Sequence, residues 1–372
     1  VVGAALALFV LAFVLSACGS APVPQSWPGL TVADDTVYVL SGLPWQVYML
    51  DTENGSQRAT FMPDGEFAGV LYWSPVTLGE GVAFVGFAEE GNGVARLYAF
   101  DPANGQELWY VQAQDLILDA PAYADGVVYF GDSAGFVYAV DLETQAVKPG
   151  WPFEVGEAIW ASPLVVGDRV YVACMDHNIY ALDAETGEEV WTTHIGAAMA
   201  ASPALDEAQG VLYVGAFDGR VHALDADSGE RLEDFDFQAG NWIWSQPLLA
   251  DDVLYVTSLD GRLYALDRES GAVVPPYPYD AAELTDSTES LRAAPVDAGA
   301  SIVVATESGR IIAVDNAQRQ WDWPGGLPEA QIYTTPVMVD GAVYVVLVNG
   351  QVQALDAENG NPKWSFSPPD GE

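Results

Sequence analysis

One short phrase recurs along this chain: an aliphatic residue, usually Tyr, usually Ala, another apolar residue, and Asp. It stands as VYMLD at 47–51, LYAFD at 97–101, VYAVD at 137–141, IYALD at 179–183, VHALD at 221–225, LYALD at 263–267, IIAVD at 311–315 and VQALD at 352–356. The Asp residues follow one another at intervals of 50, 40, 42, 42, 42, 48 and 41. A period near forty with short alternating strands restricts the fold to a radial or solenoid β-array. A proline opens each unit, at Pro75, Pro121, Pro163, Pro203, Pro247, Pro295 and Pro336, with Pro28 as a weaker first member. An apolar strand, a turn, a strand such as RVYVAC, the recurrent phrase and a closing strand follow, the last carrying Trp109, Trp191 or Trp364 in three units. Four strands per unit and eight units predict an all-β, eight-bladed β-propeller of four-stranded antiparallel blades. A solenoid would need distinct capping units. None is evident, so residues near 27 are expected to meet those near 366 and close a ring.

The turn after the phrase explains its Asp. In LDAETG, Asp183 can accept backbone N–H groups of the turn, and Gly187 supplies a conformation that a Cβ would penalise. Asp51/Gly55, Asp101/Gly105, Asp225/Gly229, Asp267/Gly271 and Asp356/Gly360 share the spacing, while Gln145 and Arg319 stand at the Gly position of units three and seven. These carboxylates read as turn-makers, not catalytic acids. The small Ala of the phrase leaves room for a large ring, expected between blades from the Trp of a closing strand. His177 occupies the place of Gly219 and Gly261 in the next units and reads as a turn residue, and His194 and His222 show no metal-ligand spacing.

Composition narrows the partners. Against 53 acidic residues stand only 12 basic ones, a formal charge of −41 over 372 residues. Such a surface repels nucleic acid and anionic lipid headgroups. The first 17 residues, VVGAALALFVLAFVLSA, suit the apolar core of a secretory signal whose start lies upstream. LSAC at 15–18 resembles the bacterial lipobox, which implies lipidation of Cys18 and a tether over 18–26; an uncleaved anchor with an incidental Cys is the alternative. The propeller then covers 27–366, with a tail at 367–372. With Cys18 acylated, Cys174, the other of two cysteines, has no disulfide partner and reads as a buried, inert thiol.

The combination S-P-x6-V-Y-V leading to YALDAETGEEVW, repeated over nearly all of 27–366, resembles the PQQ-like β-propeller repeat of the quinoprotein-like superfamily. Within it, the lipobox, the modest length and the lack of an added domain give a layout similar to the lipoproteins of outer-membrane β-barrel assembly. That resemblance implies a non-catalytic, membrane-anchored scaffold for an envelope protein, in its finest form a barrel-assembly subunit. It implies a monomeric propeller outside the cytoplasm, on the periplasmic face of an outer membrane or the outer surface of a cell membrane. A surface propeller binding glycan or cell wall is the alternative. The enzymatic relatives hold PQQ with calcium beside an adjacent-cysteine disulfide. No Cys-Cys pair exists here, cationic residues are scarce, and C-x-x-C-H is absent. No enzyme activity, cofactor or metal is therefore expected; neither a calcium loop, a nucleophile elbow nor a phosphate-binding glycine loop occurs.

Two regions are candidates for binding. Three residues before each proline stand Tyr72, Leu118, Trp160, Ala200, Trp244, Arg292 and Tyr333, a column expected to ring one mouth of the central channel, with Trp73 and Trp242 enlarging it. Aromatic residues and Arg are common anchors of recognition; plain apolar filling of the channel fits the same column. The second region, VVPPYPYDAAELTDSTESLR at 273–292, stretches one interval to 48, and its prolines disfavour an interior strand. It reads as an exposed loop, with Tyr277 and Tyr279 as partner contacts, or as a plain solvent loop. A smaller excursion, AEEGNGVAR at 88–96, lengthens unit two.

Overall fold

The computed structural model describes residues 29–42, 45–63, 70–89, 94–284, 289–325 and 331–369. The signal, lipobox, Cys18 and half of the tail expected from sequence lie outside them. Eight antiparallel sheets follow one another along the chain, with strands in chain order from the axis outwards. We number these blades 1 (30–61), 2 (70–113), 3 (122–154), 4 (164–194), 5 (204–238), 6 (248–280), 7 (296–323) and 8 (337–366). The innermost strands abut their neighbours around the ring, and that of blade 1 abuts that of blade 8. This is the eight-bladed propeller the repeats predict. Blades 2 and 3 depart from four strands because each has one strand in two pieces: 70–73 and 77–79 at the inner edge of blade 2, 146–147 and 153–154 at the outer edge of blade 3.

A lone blade cannot bury either of its faces, so the core lies between blades. Eight apolar clusters fill the eight interfaces, including one between blades 8 and 1 built on Val37, Val39, Tyr48, Tyr344 and Val352. The recurrent phrase sits at the centre of this packing. Its Ala is the direct cross-strand partner of the outer Trp in the same blade: Ala99 of Trp109, Ala181 of Trp191, Ala313 of Trp321, Ala354 of Trp364. The ring that the small Ala accommodates thus belongs to its own blade, where the sequence reading placed it between blades.

Between blades the outer Trp acts on the next turn instead. Trp191 Nε1 donates to Ala226 O at 3.0 Å and Trp321 Nε1 to Ala357 O at 2.9 Å. Tyr129, Tyr171 and Tyr213 hydroxyls donate to the corresponding carbonyls of Ala184, Ala226 and Arg268. At the seam the same clip closes the ring: Trp364 Nε1 and Tyr344 Oη donate to Thr52 O at 2.8 and 3.3 Å, and Phe366 meets Tyr48 at 5.2 Å. Among the described residues no strand is shared across the seam, and these side chains join the two blades.

In the turns, Asp183 Oδ1 accepts N–H bonds from Glu185 and Thr186 at 3.1 and 2.8 Å. Asp51, Asp101, Asp225, Asp267 and Asp356 accept equivalent bonds. Gly187, Gly229, Gly271 and Gly360 hold φ between +73° and +74° or at +71°. In blade 3, Gln145 adopts φ +57° at this position. Blade 7 corrects the sequence alignment: Asn316 and Ala317, at φ +48° and +53°, make a two-residue hairpin turn, so Arg319 already lies in the strand Gln318–Trp323.

Candidate functional site

The connections that bring the chain from each outer strand to the next inner strand share one face with the turns between second and third strands. The pinning is regular. Ser133, Met175, Phe217, Leu259, Glu307 and Val348 donate backbone N–H to Leu116, Ala158, Ala198, Trp242, Ser290 and Gln331 carbonyls at 2.8–3.1 Å. Apart from Tyr72, the expected binding column lies in these connections, just before the inner strands, so six fixed turns hold it.

Four of its members meet. Trp160, entering blade 4, lies 6.0 Å between ring centroids from Trp244, entering blade 6. These residues belong to non-adjacent blades; the intervening position is Ala200, buried and too small to separate them. The Arg292 guanidinium, entering blade 7, lies over Trp244 at 4.7 Å and over Tyr333, entering blade 8, at 5.2 Å. Glu307 fixes it with bonds of 3.0 and 2.9 Å from Nε and Nη2. Trp242 joins through Phe217, which stacks on Trp242 at 4.6 Å and on Trp244 at 5.1 Å. The result is one aromatic arc with an embedded cation, of which Trp242 is the most open member at 37% exposure. Burial pushes the Tyr333 hydroxyl above its ordinary pKa, so it stays neutral.

Phe217 escaped the sequence reading because it belongs to a turn, not to the proline column. Aligning the pinned turn residues, Ser133, Met175, Phe217, Leu259, Glu307 and Val348, would have exposed it. Tyr72 and Trp73 fall in strand Val70–Trp73, paired with the second strand of blade 2, and their side chains lie outside the described residues. Beneath the face, Leu164, Val166, Leu205 and Leu249 of the inner strands line a channel cavity of about 300 Å³.

In the second candidate region the expectation for Tyr279 is corrected, and residues 285–288 lie outside those described. Tyr279 pairs with Leu263 in the outer strand of blade 6 and is 5% exposed, and Tyr277 packs on Tyr255 at 6.0 Å. Tyr279 is thus closed to a partner, while Tyr277, partly exposed, fills the position that Trp holds in other blades. Trp151 and Phe235 do the same against Tyr129 and Tyr213 at 5.8 and 5.6 Å. Cys174 is buried, and that burial pushes its thiol up to about 12. Among the described residues, no three His, Cys, Asp or Glu side chains are grouped to hold a metal ion. The face offers aromatic surface, one cation already paired, and hydrogen-bonding edges; these suit non-covalent recognition.

A sequence profile described as "Outer membrane protein assembly factor BamB" matches residues 19–148, 148–232 and 281–371. The chain belongs to the BamB family. BamB of Escherichia coli (strain K12) is 29% identical over 262 residues, 66% of this chain and 55% of that protein. BamB of Moranella endobia (strain PCIT) is 29% identical over 183 residues, 45% of this chain and 44% of that protein. The chain thus aligns with about half the length of these curated relatives. The crystal structure of BamB from Moraxella catarrhalis superposes with a TM-score of 0.68 at 19% identity, covering 87% of this chain and 92% of that one, a likeness of fold.

Proposed function

We propose that this BamB-family propeller is a non-enzymatic scaffold that holds another protein of the cell envelope at its aromatic channel mouth. In its most specific form the partner is a subunit of the machinery that assembles outer-membrane β-barrels, and lipidated Cys18 tethers the scaffold to the membrane outside the cytoplasm. The observation that carries the reading is the arc formed by Trp160, Trp244, Arg292 and Tyr333, gathered from four blades by a small residue at the fifth. Partly open aromatic rings around an ordered guanidinium supply large contact area at low entropic cost, the composition of binding hot spots. The family description supports the same direction.

Crosslinking of the lipidated protein in its native membrane, followed by capture and mass spectrometry, tests this. The expected result is recovery of a barrel-assembly subunit, lost with Trp160→Ala and Trp244→Ala and reduced with Trp242→Ala. Truncating a hot-spot Trp costs about 2 kcal/mol or more of binding, roughly thirtyfold. Recovery unaffected by all three substitutions would move the site off the mouth. Capture of wall polysaccharide alone would replace the protein partner by a glycan.

A further inference from the structure

We propose that the outer edge of blade 2, strand Glu107–Ala113, is a second binding surface that accepts an extended segment of another protein as an added strand. An outer strand leaves one row of N–H and C=O groups unpaired, and folds protect such rows with short strands, prolines and charges. Blade 1 places Arg58 in mid-strand, ion-paired to Asp35 and Asp51. Blade 3 breaks its edge at Lys148, Pro149 and Pro152, and blade 6 at Pro275, Pro276 and Pro278. Blade 5 has only Phe237–Gln238, blade 7 carries Arg319 and Asp322, and blade 8 opens with Pro362 and Lys363. In blade 4, Arg231 of the next blade covers the strand end by donating to the His194 and Ile195 carbonyls at 2.6 and 2.7 Å.

Among the described residues, blade 2 has no such device beyond Glu107 at the start of its outer strand. Its outer strand, ELWYVQA, runs seven residues with no proline and no charge after Glu107, and among the described residues no strand pairs with its outer side. Trp109 and Val111 pack inwards against the core shared with blade 3, while Leu108 and Tyr110 stand 47% and 49% exposed. The Arg96 guanidinium lies over the Tyr110 ring at 4.5 Å. An incoming strand would therefore find backbone partners and an alternating apolar row together, the two requirements of strand addition.

Charge selects the occupant. Acidic Asp101, Glu107 and Asp115 flank the strand on a chain of net charge −41. A second copy would bring the same charge to the contact. The fitting partner is a different chain with alternating apolar residues and flanking Lys or Arg. This surface is separate from the mouth, and its test does not depend on the mouth.

The probe is a fluorescent nonapeptide of alternating Thr and Val with a Lys at each end, titrated into the whole protein by anisotropy. Saturable binding is expected, weakened about tenfold or more by Leu108→Lys with Tyr110→Lys, which place gatekeeper charges on exposed positions. Val190→Lys on blade 4 and Trp244→Ala at the mouth should leave it unchanged. Weaker binding of a Glu-flanked peptide, and of one N-methylated at alternate residues, is expected as well. No binding, binding indifferent to the paired substitution, or equal binding of the N-methylated peptide would overturn strand addition. Equal binding of the Glu-flanked peptide would overturn the charge selection. Self-association in sedimentation equilibrium that disappears with Leu108→Lys and Tyr110→Lys would give the edge to a second copy and overturn the assigned partner.

Discussion

Gly55 gives the sharpest test of how the ring closes. It has φ +71°, and a Cβ added there would meet Trp364 Cε3 at 2.5 Å and Cδ2 at 2.8 Å, across the seam between blades 1 and 8. Gly55→Ala therefore faces two costs: about 1–2 kcal/mol for an L-residue in the left-handed region and about 1–3 kcal/mol for overpacking a ring that cannot retreat. Trp364 has little freedom, because Nε1 donates to Thr52 O at 2.8 Å and the ring meets Tyr344 at 5.8 Å. Gly126 separates the two costs: its φ is +78°, and a Cβ there would meet nothing within 4 Å. Gly126→Ala should thus lose only the first, about 1–2 kcal/mol, and Gly55→Ala about 2–5 kcal/mol in total. Urea unfolding followed by far-UV circular dichroism, at one fixed salt concentration, reads both. Combining Gly55→Ala with Trp364→Ala should remove the excess. If the two glycine substitutions destabilise equally, Trp364 does not pack on Gly55 across the seam.

Other expectations follow from the same geometry. Raising ionic strength from 0.1 to 1 M shortens the screening length from about 10 to about 3 Å, so the melting temperature of a chain with net charge −41 should rise with added NaCl; a flat response would mean that local pairing already compensates the carboxylates. The backbone N–H and hydroxyl of Thr186 hold the Asp183 carboxyl below its ordinary pKa, and Ser228 and Ser270 do the same for Asp225 and Asp267. A depressed folded value stabilises above the unfolded pKa of about 3.9 and is lost as pH falls through the folded one. Asp183→Asn should therefore flatten the acid limb of the urea midpoint between about pH 5 and 2, and an unchanged limb would count against the turn role. Cys174, buried with its thiol raised to about 12, should react with Ellman's reagent only on unfolding; rapid labelling of the native protein would contradict its burial.

Much of this architecture is written locally, which is why it can be read from sequence. The recurrent phrase and its Asp-x-x-x-Gly turn are short-range devices, so the blade count and most turns follow from spacing alone. Blade 7 misleads because its hairpin turn is two residues long, which shifts Arg319 out of the Gly position and into a strand. Tyr279 misleads because nearby prolines resemble a solvent loop, yet it is buried in the outer strand of blade 6. Trp151, Phe235 and Tyr277 each stand ten residues after the phrase Asp, where Trp109, Trp191 and Trp364 stand eight after it. A longer excursion returns a ring to the same slot, and only the three-dimensional packing reveals the equivalence. The mouth is intermediate. Its column is periodic and hence legible, but the contact of Trp160 with Trp244 over Ala200, and the bridging by Phe217, are long-range facts that no spacing encodes.

The central claim is that the aromatic mouth holds an envelope protein. Replacing Trp242, the most open ring of the arc, by the photo-crosslinking residue p-benzoylphenylalanine tests it most directly, with the same replacement at Leu232, 36% exposed on the rim of blade 5, as control. In native membranes, light should yield one discrete adduct from position 242, identified by mass spectrometry as a barrel-assembly subunit, and none from 232. Equal adducts from both positions, or an adduct from 232 alone, would contradict docking at the mouth.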